Sequence, residues 1–323
     1  MSVTRYALSA LIAVFLAAPI DCRANAEAWP KRPVRIIMSQ PGGTGADLTT
    51  RLFAERLASR WGQPVVVENR PGGDGMVGVI SFASLRDDHT LLASVSAPFS
   101  VQPVIQDRLS YDPDRDAVPI SMTSDIALAI AVTEPLKIGT LAELVRYIRA
   151  NPRQLNWSAG PGLPRYIFAA YTASAGLDAS HVAYRELAPA LQDLGAGRLH
   201  VLVHGLSILN PQAQAGKARL LAVTNHSRAK AAPDVPTVTE AGYPDLAMDG
   251  FSGFFGWRDM PRELRDRIAA DIQAVAADPE IAARLAQTGQ ALRTSTPDEF
   301  ARALAAQRDR IARIVQSIGK PAQ

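Results

Sequence analysis

Short apolar runs and longer mixed stretches alternate along most of this chain. Val34–Ser39, Val65–Glu68, Thr90–Val95, Ile126–Val132, Asn156–Ala159, Leu199–Val203 and Leu220–Val223 are apolar or β-branched and read as strands. Leu48–Trp61, Val77–Leu85, Leu141–Ala150, Tyr166–Ser174 and Ala188–Leu194 read as the helices between them. Asp47 is placed to cap the first helix, and Gly62-Gln63-Pro64 ends it. The βαβα rhythm predicts an α/β fold with parallel sheets and ligands at the carboxyl ends of strands. Beyond Phe251–Trp257 the pattern becomes helical: Arg262–Ala277 and Pro279–Gly289 have apolar residues three and four apart, and Pro297–Ile318 is a long amphipathic helix. These last helices are expected to pack back on the first domain, making it discontinuous.

The amino terminus follows a different rule. Arg5 is followed by an uncharged run, Ala7–Ile20, and then by Ala24-Asn25-Ala26, a small-x-small cleavage site. That run falls short of the roughly 20 residues of a membrane span, so residues 1–26 read as a signal peptide and the mature chain as exported to the periplasm. Its removal takes away Cys22, the one cysteine of the chain. Asp21 stands where a lipoprotein anchor needs a small residue, so Cys22 does not read as one.

Composition narrows the function. The 323 residues suggest two domains, and an apolar fraction of 47% excludes a disordered chain. Lysine and arginine total 34 against 31 acids, an excess of +3 with no basic block, so no nucleic-acid partner is expected. Loss of Arg5, Arg23 and Asp21 with the leader lowers the excess to +2. Any anion must then be held by local chemistry.

Several motifs fail on inspection. Gly73-Asp74-Gly75-Met76-Val77-Gly78 has the spacing of a dinucleotide loop but follows the second strand, with Asn69-Arg70-Pro71 intervening. His200 and His204 lie on a strand-like segment, roughly 13 Å apart at about 3.3 Å per residue, too far to share a metal. Pocket-rim or packing roles suit them better. Asp112, Asp114 and Asp116 begin like a calcium loop, but Ala117 and Thr123 stand where Gly and Glu are needed, so a solvated turn is expected. No G-x-S-x-G, H-E-x-x-H or catalytic thiol is present; no enzyme, metal or cofactor is expected. Two strand–glycine-loop–helix units remain, Ser39–Asp47 and Ser158–Tyr166. Each is either an ordinary β–α turn or a seat where backbone N–H groups meet a carboxylate or phosphate.

Particular strings now become informative. Trp29-Pro30-Lys31-Arg32-Pro33-Val34-Arg35-Ile36-Ile37, Pro41-Gly42-Gly43 with Asp47, and Gly62-Gln63-Pro64-Val65-Val66-Val67-Glu68-Asn69-Arg70-Pro71-Gly72 resemble the Bug family, the substrate-binding receptors of tripartite tricarboxylate transporters. Tyr111-Asp112-Pro113 with Asp116, Ala215-Gly216-Lys217 with Leu221-Ala222-Val223-Thr224, and Asp234-Val235-Pro236-Thr237-Val238 with Glu240-Ala241-Gly242 extend the resemblance, which runs from Trp29 to the C-terminus.

The resemblance implies a type II periplasmic-binding-protein fold: two α/β lobes with a ligand cleft between them, divided as 27–124 with 247–323, and 125–246. It implies a small organic carboxylate as ligand and a monomer delivering it to membrane permease subunits of a tripartite transporter. The alternative function is a ligand-sensing binding protein that signals to a membrane sensor kinase, and an exported hydrolase is a third reading. Carried over by position, Ser39, Gln40, Pro41, Gly42, Gly43, Thr44, Asp47 and Ser96 would contact ligand from the first lobe. Ser158, Ala159, Gly160, Gly162, Gly205 and Ser207 would do so from the second. The chain departs from the family at Leu163-Pro164-Arg165-Tyr166, where small hydroxyl residues and a His are usual, and at His204, where an acid is usual. The exchange adds apolar surface and suggests an anion with an apolar or aromatic body. Arg165 either supplies a counter-charge or points to solvent.

Overall fold

The computed structural model describes residues 29–85, 87–160, 162–184 and 186–318. The expected leader, Cys22 included, lies outside the described residues. Up to the first crossing between halves, the chain forms β1 (Val34–Met38), α1 (Gly45–Trp61), β2 (Val65–Asn69), α2 (Met76–Ser84), β3 (Thr90–Val95), the short α3 (Ala97–Ser100) and α4 (Gln102–Ile105), and β4 (Ala117–Ile126). Next come β5 (Leu128–Thr133), α5 (Leu141–Ala150), β6 (Asn156–Ala159), α6 (Leu163–Ser174), β7 (Ser180–His181), α7 (Leu187–Gly195), β8 (Val201–Gly205), α8 (Leu206–Gln214) and β9 (Ala218–Val223). The chain then returns through β10 (Gly250–Trp257), α9 (Arg262–Ala276), α10 (Pro279–Gln287), β11 (Gln290–Leu292) and α11 (Pro297–Ile318). The first sheet runs β11-β4-β10-β3-β1-β2 and the second β7-β6-β8-β5-β9.

Strand alternation builds each core. Ile36 and Met38 face one apolar cluster while Ile37 faces another on the opposite side of the first sheet. Ile130 and Val132 face one side of the second sheet, and Ala129 and Ala131 the other. The long α11 spans the two halves: it sets Phe300 and Leu304 in a first-sheet cluster and Ile311 in a second-sheet cluster. Burying a side chain of that size is worth about 1.5–3 kcal/mol.

The sheets are mixed, where parallel ones were expected. β1 pairs in parallel with β2 and β3, and β6 with β7 and β8. β10 and β5, the first strands after each crossing, are antiparallel to their neighbours. The expected strand Ile126–Val132 divides at Ala127, because β4 belongs to one sheet and β5 to the other. β4 itself has no clean signature, since Pro119 sits inside it; the strand tolerates the proline beside an irregularity in its pairing with β10.

The two crossings are tied to each other. Asn225, on the return path, accepts from Leu128 N at 3.1 Å and donates to Ile126 O at 3.2 Å. It thereby brackets Ala127, the single residue between β4 and β5. Asn225 also donates to Asp249 Oδ1 at 3.1 Å, just before β10.

Two rejected motifs have structural uses. Gly75 and Asp74 adopt left-handed backbone at φ 93° and 56°, and a methyl on Gly78 would sit 2.7 Å from Ser39 Cα. These glycines therefore let α2 approach β1 closely. The Asp112–Asp116 turn is less solvated than expected: Asp116 is buried, accepts from Asp112 N at 2.8 Å, and pairs with Arg115 and Arg258.

Candidate functional site

A cavity of about 480 Å³ lies between the sheets. The first half contributes Gln40–Ala46, Val95–Ala97, Ile126, Gly250, Phe251 and Gln290. Leu128, Gly160, Leu163, Pro164, Glu186, Leu187 and His204, Gly205, Ser207 and Ile208 come from the second. Four helices of eight or more residues start at its wall: α1, α6, α7 and α8. Of these, α6, α7 and α8 have no side-chain cap on their first-turn N–H groups. Such starts carry partial positive charge. The described lining holds no lysine or arginine and one acid, Glu186.

The first loop is braced from behind. Thr44, rather than the expected Asp47, is the N-cap of α1: its Oγ1 accepts from Asp47 N at 3.3 Å and donates to Pro41 O at 2.9 Å. Asp47 is buried and turned away from the cavity lining. Its carboxylate accepts from Gly43 N at 2.9 Å, Asn69 Nδ2 at 2.7 Å and Arg51 Nε at 3.1 Å. Burial pushes its pKa up, but the hydrogen bonds from Asn69, Gly43 and Arg51 outweigh that and hold it below the usual value. Asn69 also donates to Gln40 O at 3.0 Å. Asn69 thus shapes the loop without touching the cavity.

On the other side His204 lines the cavity. Its Nδ1 accepts from Gly205 N at 2.8 Å, which leaves Nε2 as the protonated donor of the neutral ring. Burial pushes its pKa down to about 4, so the ring is neutral near pH 7. Gly160 must be glycine, because a methyl there would sit 2.7 Å from His204 Cδ2.

Of the sixteen expected contacts, Gln40, Pro41, Gly42, Gly43, Thr44, Ser96, Gly160, His204, Gly205 and Ser207 are brought together on the cavity. The other six are not. Ser39 is buried and donates to Ser94 Oγ at 2.9 Å, while Ser158 and Ala159 stay within β6. Gly162 packs toward Ala97 from φ 72°, and its N–H donates to Asp74. Arg165 lies close enough to Asp74 to lower that carboxyl's pKa, so its charge faces a protein acid instead of the cavity. His200 also stays out, its Nδ1 accepting from Asn156 N at 3.0 Å.

Sequence reasoning missed Gln290 and the apolar wall of Ile126, Leu128, Leu187, Ile208 and Phe251. The wall residues look like ordinary core positions in the sequence. Gln290 follows a helix end without any motif. Leu163 and Pro164, noted as departures, do line the cavity.

A family model described as the tripartite tricarboxylate transporter family receptor matches residues 49–320. A relative from Bordetella bronchiseptica, described as a UPF0065 protein, is 32% identical over 91% of this chain and 88% of its own. A solved structure described as a periplasmic transporter superposes with a TM-score of 0.83 at 27% identity, covering 91% of this chain and all of that one. Rpa4515 of R. palustris, solved with adipate, gives a TM-score of 0.82 at 26% identity, covering 90% of this chain and 98% of that one. The two-sheet architecture is accordingly that of a periplasmic binding protein. With the family model spanning most of the sequence, this chain belongs to the tripartite tricarboxylate transporter receptor family, the Bug-type receptors.

Proposed function

We propose that this protein is a periplasmic solute-binding protein that captures a small organic carboxylate by lobe closure and presents it to the membrane subunits of a tripartite transporter. The observation that carries this reading is the cavity, where uncapped helix starts converge and the described lining offers donors without a cationic side chain. Oriented N–H groups in a water-poor cleft suit an anion held by hydrogen bonds. The adipate bound to Rpa4515 supports the ligand class. The lobes are taken as 27–124 with 247–323, and 125–246. Strand membership supports this division with the first crossing moved to Ala127, the first sheet drawing on residues up to 126 and from 250 onward. The leader-like residues 1–26 support export. No covalent step is assigned to the site, and no cofactor.

Ligand can drive closure only through its better affinity for the closed state. Thermal unfolding of refolded, ligand-free protein against a panel of mono- and dicarboxylates, adipate and benzoate among them, tests the reading. At least one acid raises the melting temperature by mass action. A panel with no shift at all would overturn it.

A further inference from the structure

We infer that Gln290 is a ligand-reading residue, donating an N–H of its carboxamide to the carboxylate in the cavity. The inference rests on the carboxylate reading above and names the residue that discriminates within it. Gln290 is only 5% exposed, yet it lines the cavity. Its Oε1 accepts from Ser124 Oγ at 3.0 Å, and Ser124 is held in turn by Ser252 Oγ at 2.9 Å. Thr123 Oγ1 continues that buried chain to Ser252 at 3.1 Å. Nε2 has no hydrogen-bond partner among the described residues and is not sealed off from the cavity. An amide N–H that faces the cavity with no protein acceptor is poised to donate to an anionic oxygen placed there.

The surroundings say what the acceptor is. Nε2 lies over Gly45 at the first turn of α1, and a methyl on Gly45 would collide with the carboxamide. The turn that begins β11 reaches α8, where a methyl on Gly289 would sit 3.3 Å from Ser207 N. Gln290 therefore stands with the starts of two helices, α1 from one half and α8 from the other. All three present N–H groups, which an anionic oxygen satisfies and an apolar or cationic group does not. Gln290 supplies a donor without a charge, so the site accepts an anion without a buried counter-ion.

The test is titration calorimetry at about pH 7.5 with adipate, and with any panel acid that stabilises the wild type. Gln290→Glu keeps the shape and replaces the donor by an acceptor. It lowers affinity by about 100-fold or more, while Gln290→Leu lowers it by about 10-fold to 100-fold. Gly45→Ala, which leaves Gln290 in place but displaces its carboxamide, also lowers affinity by about 10-fold or more. Ligand-free melting temperatures of all three report folding separately. Wild-type binding that Gln290→Glu leaves unchanged would overturn the role of Gln290 alone. A wild type that binds no acid would overturn both this role and the carboxylate reading.

Discussion

Asp74 and Gly162 meet across the two halves of the molecule: the backbone N–H of Gly162, at the start of α6, donates to the Asp74 carboxylate. Asp74 also accepts from Gln102 Nε2 at 3.0 Å. Burial raises its pKa, partly offset by Gln102, the Arg165 charge and Gly162. On the lobe-closure reading proposed above, removing this contact favours a more open arrangement. Asp74→Ala is expected to weaken binding of the panel acid that stabilises the wild type by about 5-fold to 10-fold, chiefly through faster dissociation, while Asp74→Asn, which keeps an acceptor for Gly162, loses less. Stopped-flow release rates distinguish the two, and equal rates in Asp74→Ala and wild type would sever the link to closure.

His204 carries a pH signature. Its folded pKa of about 4 lies below the ordinary value of 6.5, so the unfolded chain takes up a proton first as pH falls. Stability from this residue is therefore complete above about pH 6.5 and declines toward about pH 4. The loss amounts to about 2–3 kcal/mol. Urea unfolding at about pH 7.5, 6 and 4.5 should show a decline that His204→Gln reduces. An identical slope in both proteins would contradict the depressed pKa.

Gly160→Ala probes the same ring by sterics. The added methyl has to displace His204, so affinity for the panel acid that stabilises the wild type is expected to drop about 10-fold or more with little change in far-ultraviolet circular dichroism. Gly43, by contrast, has open space where a methyl would go but φ 82°, and Gly43→Ala costs mainly backbone strain. Calorimetry of both variants separates displacement of the His204 ring from backbone strain in the first loop.

Asp47→Ala should remove the brace of the first loop without touching ligand. A buried acceptor with three donors is lost, and about 2–4 kcal/mol of unfolding free energy with it. Denaturant titration measures the loss. A variant as stable as wild type would mean that Asn69 and Arg51 hold the loop without it.

Asn225→Ala unties the crossings. Leu128 N–H loses its acceptor, at a cost of about 1–3 kcal/mol, and hydrogen exchange of that amide is expected to accelerate. Unchanged protection at Leu128 would show that the strand pairing alone secures Ala127.

Legibility from sequence followed physical locality. Thr90–Val95, Leu141–Ala150 and Pro297–Ile318 coincide with the elements read from pattern, the first as a short run buried on both faces and the two helices by their periodic apolar faces. β4 escaped because Pro119 and its many polar residues satisfy no strand template, though the strand is central in its sheet. α8 escaped with Pro211 inside it. The glycine loops were findable because a tight turn restricts residue choice locally. Gln290 was not, since its meaning arises only where β11, α1 and α8 converge.

The last helix sets a mechanical condition on all of this. α11 is embedded at one end with Phe300 and at the other with Ile311, and between them Gln307 donates to Asp249 O at 2.8 Å beside the return crossing. Interiors packed to crystal-like density resist sliding. The helix is therefore a beam shared by both cores, so a rearrangement of either core has to be accommodated along it.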